Sequence, residues 1–373
     1  MKRNILLLFT FFACITVQGQ TPVRLVDLRS EHLDRPIGLD NPVPRLSWRM
    51  EDGRQGAVQT SWRIVVDEDS LNVVNGCGRM WDSGKNDSRN QLVAYAGKKL
   101  QPFTRYYWKV ICSDMEYKET ASPVSYFETG MMGMQHWQGA WIGDGKDIHY
   151  GPAPYFRKEF KTGKKVKSAR AYIAAAGLYE LYINGEKIGD HCLAPLYTRF
   201  DRRNLYVAYD VTSQLQNGDN AIGVLLGNGW YNHQSKAVWD FDRAPWRNRP
   251  AFCLDLRITY TDGSVETIPT DLSWRTASGA ITFNSIYTGE HYDARLEQKG
   301  WSTPEFDDSK WRGVAYRSVP SSNVTAQQVH PIRNVKIFPA VSFRKVDEKT
   351  YIYDFGQNMS CLLYTSDAAD ERS

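Results

Sequence analysis

The stretch that decides the fold is residues 171–189, AYIAAAGLYELYINGEKIG. Within it Tyr172, Tyr179, Leu181 and Ile183 stand at strand-like spacing. A period of two puts Tyr179, Leu181 and Ile183 on one face and Glu180 and Tyr182 on the other, the pattern of a half-buried strand. Asn184-Gly185 then turns the chain into Glu186-Lys187-Ile188, because both turn residues tolerate a positive φ. Residues 206–211 and 219–226 repeat the short-strand pattern, with turn residues between them. Short strands spaced in this way predict a β-sandwich of the jelly-roll kind.

Outward from that stretch, 373 residues with 42% apolar and 24% charged side chains fit two or three globular domains. An aromatic share of 13%, with 12 Trp and 21 Tyr, suits sandwich cores and sugar-facing surfaces, since flat amphipathic rings pack well in both. A net charge of +4 without basic stripes argues against a nucleic-acid partner. Lys2-Arg3, an apolar run over 5–17 and Gly19 before Gln20 make residues 1–20 a signal peptide, so a periplasmic or secreted chain is expected. No other stretch reaches the roughly 18 apolar residues of a membrane span. Cys14 follows Phe11-Phe12-Ala13, which lacks the small or aliphatic residues of a lipoprotein signal, so no lipid anchor is expected.

Four cysteines remain for the body of the chain: Cys77, Cys112, Cys192 and Cys253. None has CxxC spacing, which argues against zinc. A Cys77–Cys112 disulfide is compatible with export, but isolated buried thiols are the expectation.

In chain order, residues 21–130 read as a fibronectin III/Ig-like sandwich with strands at 46–49, 62–66 and 106–111. Leu100-x-Pro102-x-Thr104-x-Tyr106 resembles its tyrosine corner. Gly130-Met131-Met132-Gly133-Met134 is a hinge, and 131–325 form the jelly-roll domain. Pro304-Glu305-Phe306-Asp307-Asp308-Ser309-Lys310-Trp311 closes that domain as an Asp-rich turn pinned by two aromatics. Residues 326–360 start a third β-sandwich, with strands at 335–338, 340–343 and 351–355; so few strands leave edges and apolar faces bare. Residues 361–373, CLLYTSDAADERS, break the pattern and read as an adaptor-derived tail, which makes the chain an expected N-terminal piece of a longer protein.

Several motifs in register resemble bacterial α-L-rhamnosidases of glycoside hydrolase family 78. They include Pro44-Arg45-Leu46-Ser47-Trp48, Trp81-Asp82-Ser83-Gly84, Tyr106-Tyr107-Trp108-Lys109-Val110 and Phe127-Glu128-Thr129-Gly130. Gly177 to Gly185, Leu193-Ala194-Pro195, Gly227-Asn228-Gly229-Trp230-Tyr231, Ile286-Tyr287-x-Gly289-Glu290-x-Tyr292-Asp293-Ala294-Arg295 and Tyr353-Asp354-Phe355-Gly356-Gln357-Asn358 continue the series. The resemblance implies hydrolysis of terminal α-L-rhamnose from glycosides or polysaccharides with inversion, by two carboxylates roughly 6.5–9.5 Å apart. In that family the pair lies in a downstream (α/α)6 barrel. No such helical repeat occurs before Ser360, so no catalytic residue is expected in this chain. Its partners would be rhamnose-containing glycans and its own catalytic domain. The alternative is a free-standing carbohydrate-binding or adhesive β-sandwich protein.

Two polar constellations stand out. Asn228, Trp230, Tyr231 and Asn232, with Asp240 and Asp242 downstream, are carbohydrate-binding candidates: Asn and Asp oxygens suit sugar hydroxyls, and a Trp face suits a pyranose. The same oxygens leave calcium open as a ligand, although no cofactor is required. The loop expected at Ala174-Ala175-Ala176-Gly177 offers no ligand of its own. Glu290, Asp293 and Arg295 are candidates for contact with the missing domain; the odd offset of the two acids makes them a poor catalytic pair.

Overall fold

The computed structural model describes residues 22–236 and 239–358. The segments expected to be a signal peptide and an adaptor-derived tail, with Cys14 and Cys361, lie outside the described residues. The remainder is almost wholly β and falls into two compact units. Residues 22–35, 43–99 and 105–126 make the first; 36–42, 100–104 and 127–358 make the second.

The first unit is the immunoglobulin-like sandwich. Strands β1 (Arg24–Ser30) and β2 (Arg45–Glu51) pair antiparallel, and Leu92–Ala94 adds to the free edge of β2. Opposite them β3 (Ser61–Asp67) pairs with β4 (Arg105–Ser113) and with Trp81–Asp82. Alternation drives the assembly: Leu46 and Trp48 of β2 and Tyr106, Trp108 and Val110 of β4 are buried. Trp48 packs edge-on against Trp62 at 6.1 Å. Its Nε1 donates to Gln59 Oε1 at 2.9 Å, and the Cys112 thiol donates to the same oxygen at 3.1 Å. Cys112 is therefore committed inside the sandwich while Cys77 is exposed, so the Cys77–Cys112 disulfide does not form. Of the four thiols only Cys112 and Cys253 are buried; Cys77 and Cys192 depart from that expectation.

The second unit is the jelly roll. Its strands are β5 (Pro154–Thr162), β6 (Val166–Ala176), β7 (Leu178–Ile183), β8 (Asn204–Asp210), β9 (Gly218–Gly227) and β10 (Ala251–Tyr260). One sheet has β6 between β10 and β8, with Val324–Ala326 parallel to β8 at its edge. The other runs from Glu186–Lys187 through β7, β9, β5 and Arg275–Ser278 to Arg312–Gly313. Ala171, Ile173 and Ala175 of β6 and Leu254, Leu256 and Ile258 of β10 meet Tyr179, Leu181 and Ile183 of β7 and Ile222, Val224 and Leu226 of β9 in one core. Each larger apolar chain buried there contributes roughly 1.5–3 kcal/mol.

Gly177 divides the opening stretch of sequence between the two sheets. Its φ is +121°, and a Cβ there would stand 2.5 Å from the Gly227 carbonyl oxygen. The chain therefore leaves β6 and enters β7 in the opposite sheet. Tyr179, Leu181 and Ile183 share a buried face as their spacing predicts, but Tyr172 faces away from them. It joins Ala174 and Ala176 in a second core with Phe200, Tyr206, Tyr231 and Cys253. Residues 174–176 are thus strand rather than loop, buried on both faces, and small side chains suit a sheet covered on both sides.

A half-buried carboxylate ties this second core to the connecting segments. Asp40 accepts from Met132 N and Ala326 N, both at 2.8 Å, and from the Tyr206 hydroxyl. Burial pushes its pKa up against those three bonds. Because Ala326 ends a strand of the jelly roll, the boundary expected at 325 falls inside the fold. Cys192 and Ile332 form a further bridge. Beyond it the predicted strand at 335–338 is absent. The hairpin Ser342–Lys345 with Tyr351–Asp354 follows, and its residues are all exposed.

The closing turn is a clasp on β5. Arg157 is wholly buried; it donates to Asp308 and, at 2.9 Å, to both Glu159 Oε1 and Thr303 O. The guanidinium lies 5.4 Å from the Phe306 ring centre, and Phe306 meets Trp311 edge-on. The Asp-rich string is thereby a structural pin.

Candidate functional site

Strand β9 ends at Gly227, and the segment 228–250 leads to β10 across one end of the sandwich. The first residues of that segment turn inward. Asn228 is 1% exposed and Asn232 fully buried. Asn228 N donates to Asn284 Oδ1 at 2.7 Å, its Nδ2 to Asn284 O at 2.9 Å, and its Oδ1 accepts from Asn232 Nδ2 at 3.0 Å. Asn232 also donates to Ile148 O and accepts from Arg247 Nε at 3.1 Å. The two amides therefore brace the loop from within.

Aromatic rings close over this frame. Trp230, half-buried, lies 5.0 Å from Phe241, 5.4 Å from Tyr287 and 5.9 Å from Tyr197 between ring centres. Tyr231 points the other way, into the second core, and burial pushes its phenol up to about 12. Tyr197 and Tyr287 keep about half of their surface in solvent, 45% and 50%. His233 is fully buried, 5.2 Å from Tyr287 and 6.4 Å from Trp230.

Asp240 and Asp242 do not lie on an extended face. Asp240 takes a left-handed φ of +53° ahead of the 3-10 turn Phe241–Arg243, and it is exposed. Asp242 is half-buried; its carbonyl accepts from Arg247 Nη1 at 2.8 Å. The structure thus joins Asn228, Asn232 and, through its backbone carbonyl, Asp242 in one hydrogen-bond network, places Trp230 in a separate ring cluster, and leaves Tyr231 and Asp240 outside both. Sequence reasoning missed Tyr197, His233, Phe241, Asn284 and Tyr287. Tyr287 stood within a recognised motif, and the unusual aromatic density of the 228–250 segment was the available signal.

The second constellation also separates. Asp293 accepts from Arg295 Nε at 2.8 Å and Nη2 at 2.6 Å, which holds its carboxyl below the usual range. It caps the turn Ala294–Leu296, while Arg295 is 88% exposed. Glu290 sits apart on the hairpin strand Gly289–Tyr292, its pKa raised first by burial and then by the charge of Glu180. Among the described residues no group of three or more His, Cys, Asp or Glu is placed to hold a metal ion. No helix among them is long and apolar enough to cross a membrane.

Among the described residues the most deeply buried carboxylates are committed, whereas the half-buried Asp242 has Oδ1 without a partner. Asp144 binds Arg249, Glu128 binds Arg170, Asp67 binds Arg79 and Asp114 binds Arg54. Glu31 binds Arg45, and Asp255 accepts from Gln138 N and Gly139 N, both at 2.8 Å. A cavity of about 400 Å³ lined by Trp137, Trp141, Cys253, Tyr316 and Arg317 has no carboxylate in its wall.

Comparison with known proteins follows the same division. Residues 25–133 match the Rha78A-like N-terminal immunoglobulin domain, and residues 164–336 match the alpha-L-rhamnosidase N-terminal domain. An alpha-L-rhamnosidase of Formosa agariphila is 33% identical over 386 residues, 96% of this chain and 40% of the relative. One from Alteromonas sp. is 33% identical over 339 residues, 87% of this chain and 36% of the relative. Among solved structures, the alpha-L-rhamnosidase from Dictyoglumus thermophilum superposes with a TM-score of 0.80 at 38% identity, over 90% of this chain and 38% of that one. The chain thus spans about two-fifths of the length of these relatives.

Proposed function

Since this chain belongs to the bacterial α-L-rhamnosidases of glycoside hydrolase family 78 and aligns with their N-terminal domains, we propose that it serves an exported enzyme of that activity as its non-catalytic N-terminal portion. The whole protein would release terminal α-L-rhamnose from glycans with inversion, a reaction that needs one carboxyl to protonate the leaving oxygen and a second to activate water. The observation that carries the reading is the commitment of the buried acids. A general acid must be free to give and regain its proton beside a substrate. Asp255 illustrates the point: burial raises its pKa to about 6, yet the amides of Gln138 and Gly139 cap its two oxygens. In this reading the two β-sandwiches position the catalytic domain, with Glu290, Asp293 and Arg295 as separate candidate contacts to it. No metal is required for that role. The test is hydrolysis of an aryl α-L-rhamnoside by the purified chain, expected at the level of a buffer blank.

A further inference from the structure

Within the second unit, residues 190–192 and 332–334 meet so that one histidine stands between a carboxylate and a guanidinium. Cys192 N donates to Ile332 O at 2.8 Å, and this bond fastens the segment after Ala326 to the jelly roll. Beside it Arg333 Nε lies 2.8 and 2.7 Å from the two oxygens of Asp190, and Arg333 Nη2 lies 3.3 Å from His191 Nε2. On the other side of the ring, His191 Nδ1 stands 3.2 Å from the Tyr209 hydroxyl, itself 3.0 Å from the hydroxyl of Tyr179. Tyr209 belongs to β8 and Tyr179 to β7, so the imidazole rests on a pair of phenols contributed by the two sheets. Its side chain is 15% exposed.

These partners select a protonation state. A guanidinium only donates, so His191 Nε2 accepts from Arg333; in the neutral ring Nδ1 then carries the proton and donates to Tyr209. A proton on Nε2 would set two donors and two positive charges against each other. Burial first, and the charge of Arg333 second, hold the pKa of His191 below the usual histidine value, while Asp190 opposes them. Asp190 Oδ1 is 3.9 Å from His191 Nε2, so the carboxylate has a second cation within reach once the ring is charged. Asp190, Arg333 and Tyr209, with Tyr179 behind Tyr209, are the charged and titratable groups around the ring.

We propose that His191, Asp190 and Arg333 form a proton-operated latch, which holds residues 332–334 on the jelly roll while His191 is neutral and releases them when it is protonated. The proton takes the Nε2 lone pair, Arg333 loses that acceptor, and Asp190 turns from Arg333 to the imidazolium. What is let go is the strap leading to the exposed hairpin Ser342–Lys345 with Tyr351–Asp354, because Val324–Ala326 keeps its own pairing with β8. A histidine pKa lowered by docking stabilises the docked state fully above the free value of about 6.5. That contribution is lost as pH falls through the lowered value.

The test uses the whole chain, with amide hydrogen exchange and histidine resonances followed by NMR from about pH 8 to about pH 4.5. The protection factor of the Cys192 amide, taken against the unstructured-chain rate at each pH, should fall about two- to fivefold on acidification, the range of one exposed ion pair. Amides of β9 should keep their protection, and the fall should track the His191 Hε1 titration. His191→Gln offers Arg333 an acceptor that does not titrate, so its Cys192 protection should persist into acid. Arg333→Gln should raise the His191 pKa above that of the parent chain and weaken Cys192 protection already at neutral pH. A protection factor constant across the range, an equal fall in His191→Gln, or a His191 pKa unmoved by Arg333→Gln would each overturn the proposal. The last comparison changes only a side chain that is 42% exposed, and it decides if His191→Gln folds poorly. None of these readouts bears on hydrolysis, so the two readings fail separately.

Discussion

At the scale of single residues, Asp255 gives a pH dependence of defined sign. Its folded pKa is about 6, raised by burial, against roughly 3.9 in an unfolded chain. A raised carboxyl binds its proton more tightly when folded, so its contribution to stability is complete below pH ~3.9 and is lost as pH rises through about 6. The difference between those two pKa values corresponds to a free-energy span on the order of 3 kcal/mol. Unfolding free energy measured by denaturant titration between pH 4 and 6.5 should therefore fall less steeply with rising pH in Asp255→Asn than in the parent chain. Identical slopes would show that the carboxyl is ionised across that window. Nothing in the one-letter sequence distinguished Asp255 from its neighbours, because its role depends on which backbone amides the 138–139 segment brings to it. The same holds for His233, which is buried with its Nδ1 bonded to Ser235 O.

Among elements, alternation was the most legible signal. Strands β2 and β7 lie where period-two patterning puts them, because each has one face on a core and one on a wetter side. Strand β6 was obscured for the converse reason: both faces are buried, so its run of alanines shows no alternation. Asp240 takes a left-handed φ that composition does not reveal.

The outer face of the second sheet carries a tertiary device that sequence could not show. Trp301 stacks on Tyr155 at 4.6 Å and sits over Gly223, where an added Cβ would come within 2.5 Å of the indole. Gly223→Ala should destabilise by about 1–3 kcal/mol through displacement of that ring. In a Trp301→Ala background the same change should cost clearly less, since the obstructing atoms are gone. Additive costs in that double-mutant cycle would place the penalty in the strand backbone.

At the scale of the molecule, the two units were legible as domains, but the end of the second was not. Val324–Ala326 pairs with β8, Ala326 N binds Asp40, and the bridge at Ile332 follows. Removing residues after 320 should lower the thermal midpoint, whereas ending the chain after 336 should leave it nearly unchanged. That longer form should also be more soluble, because it discards Ile337, Val341, Phe343 and Tyr353, which are 57–81% exposed. A lower midpoint for the chain ending at 336 would show that the hairpin stabilises the jelly roll.

The central proposal is that the chain has the architecture of α-L-rhamnosidase N-terminal domains and does not itself supply the acid–base chemistry of that reaction. Its most direct test is the rate of aryl α-L-rhamnoside hydrolysis by the purified chain between pH 4 and 8. The account predicts a rate indistinguishable from the buffer blank throughout. Turnover above that blank which Asp255→Asn or Glu290→Gln abolishes, in a variant that stays folded, would contradict it.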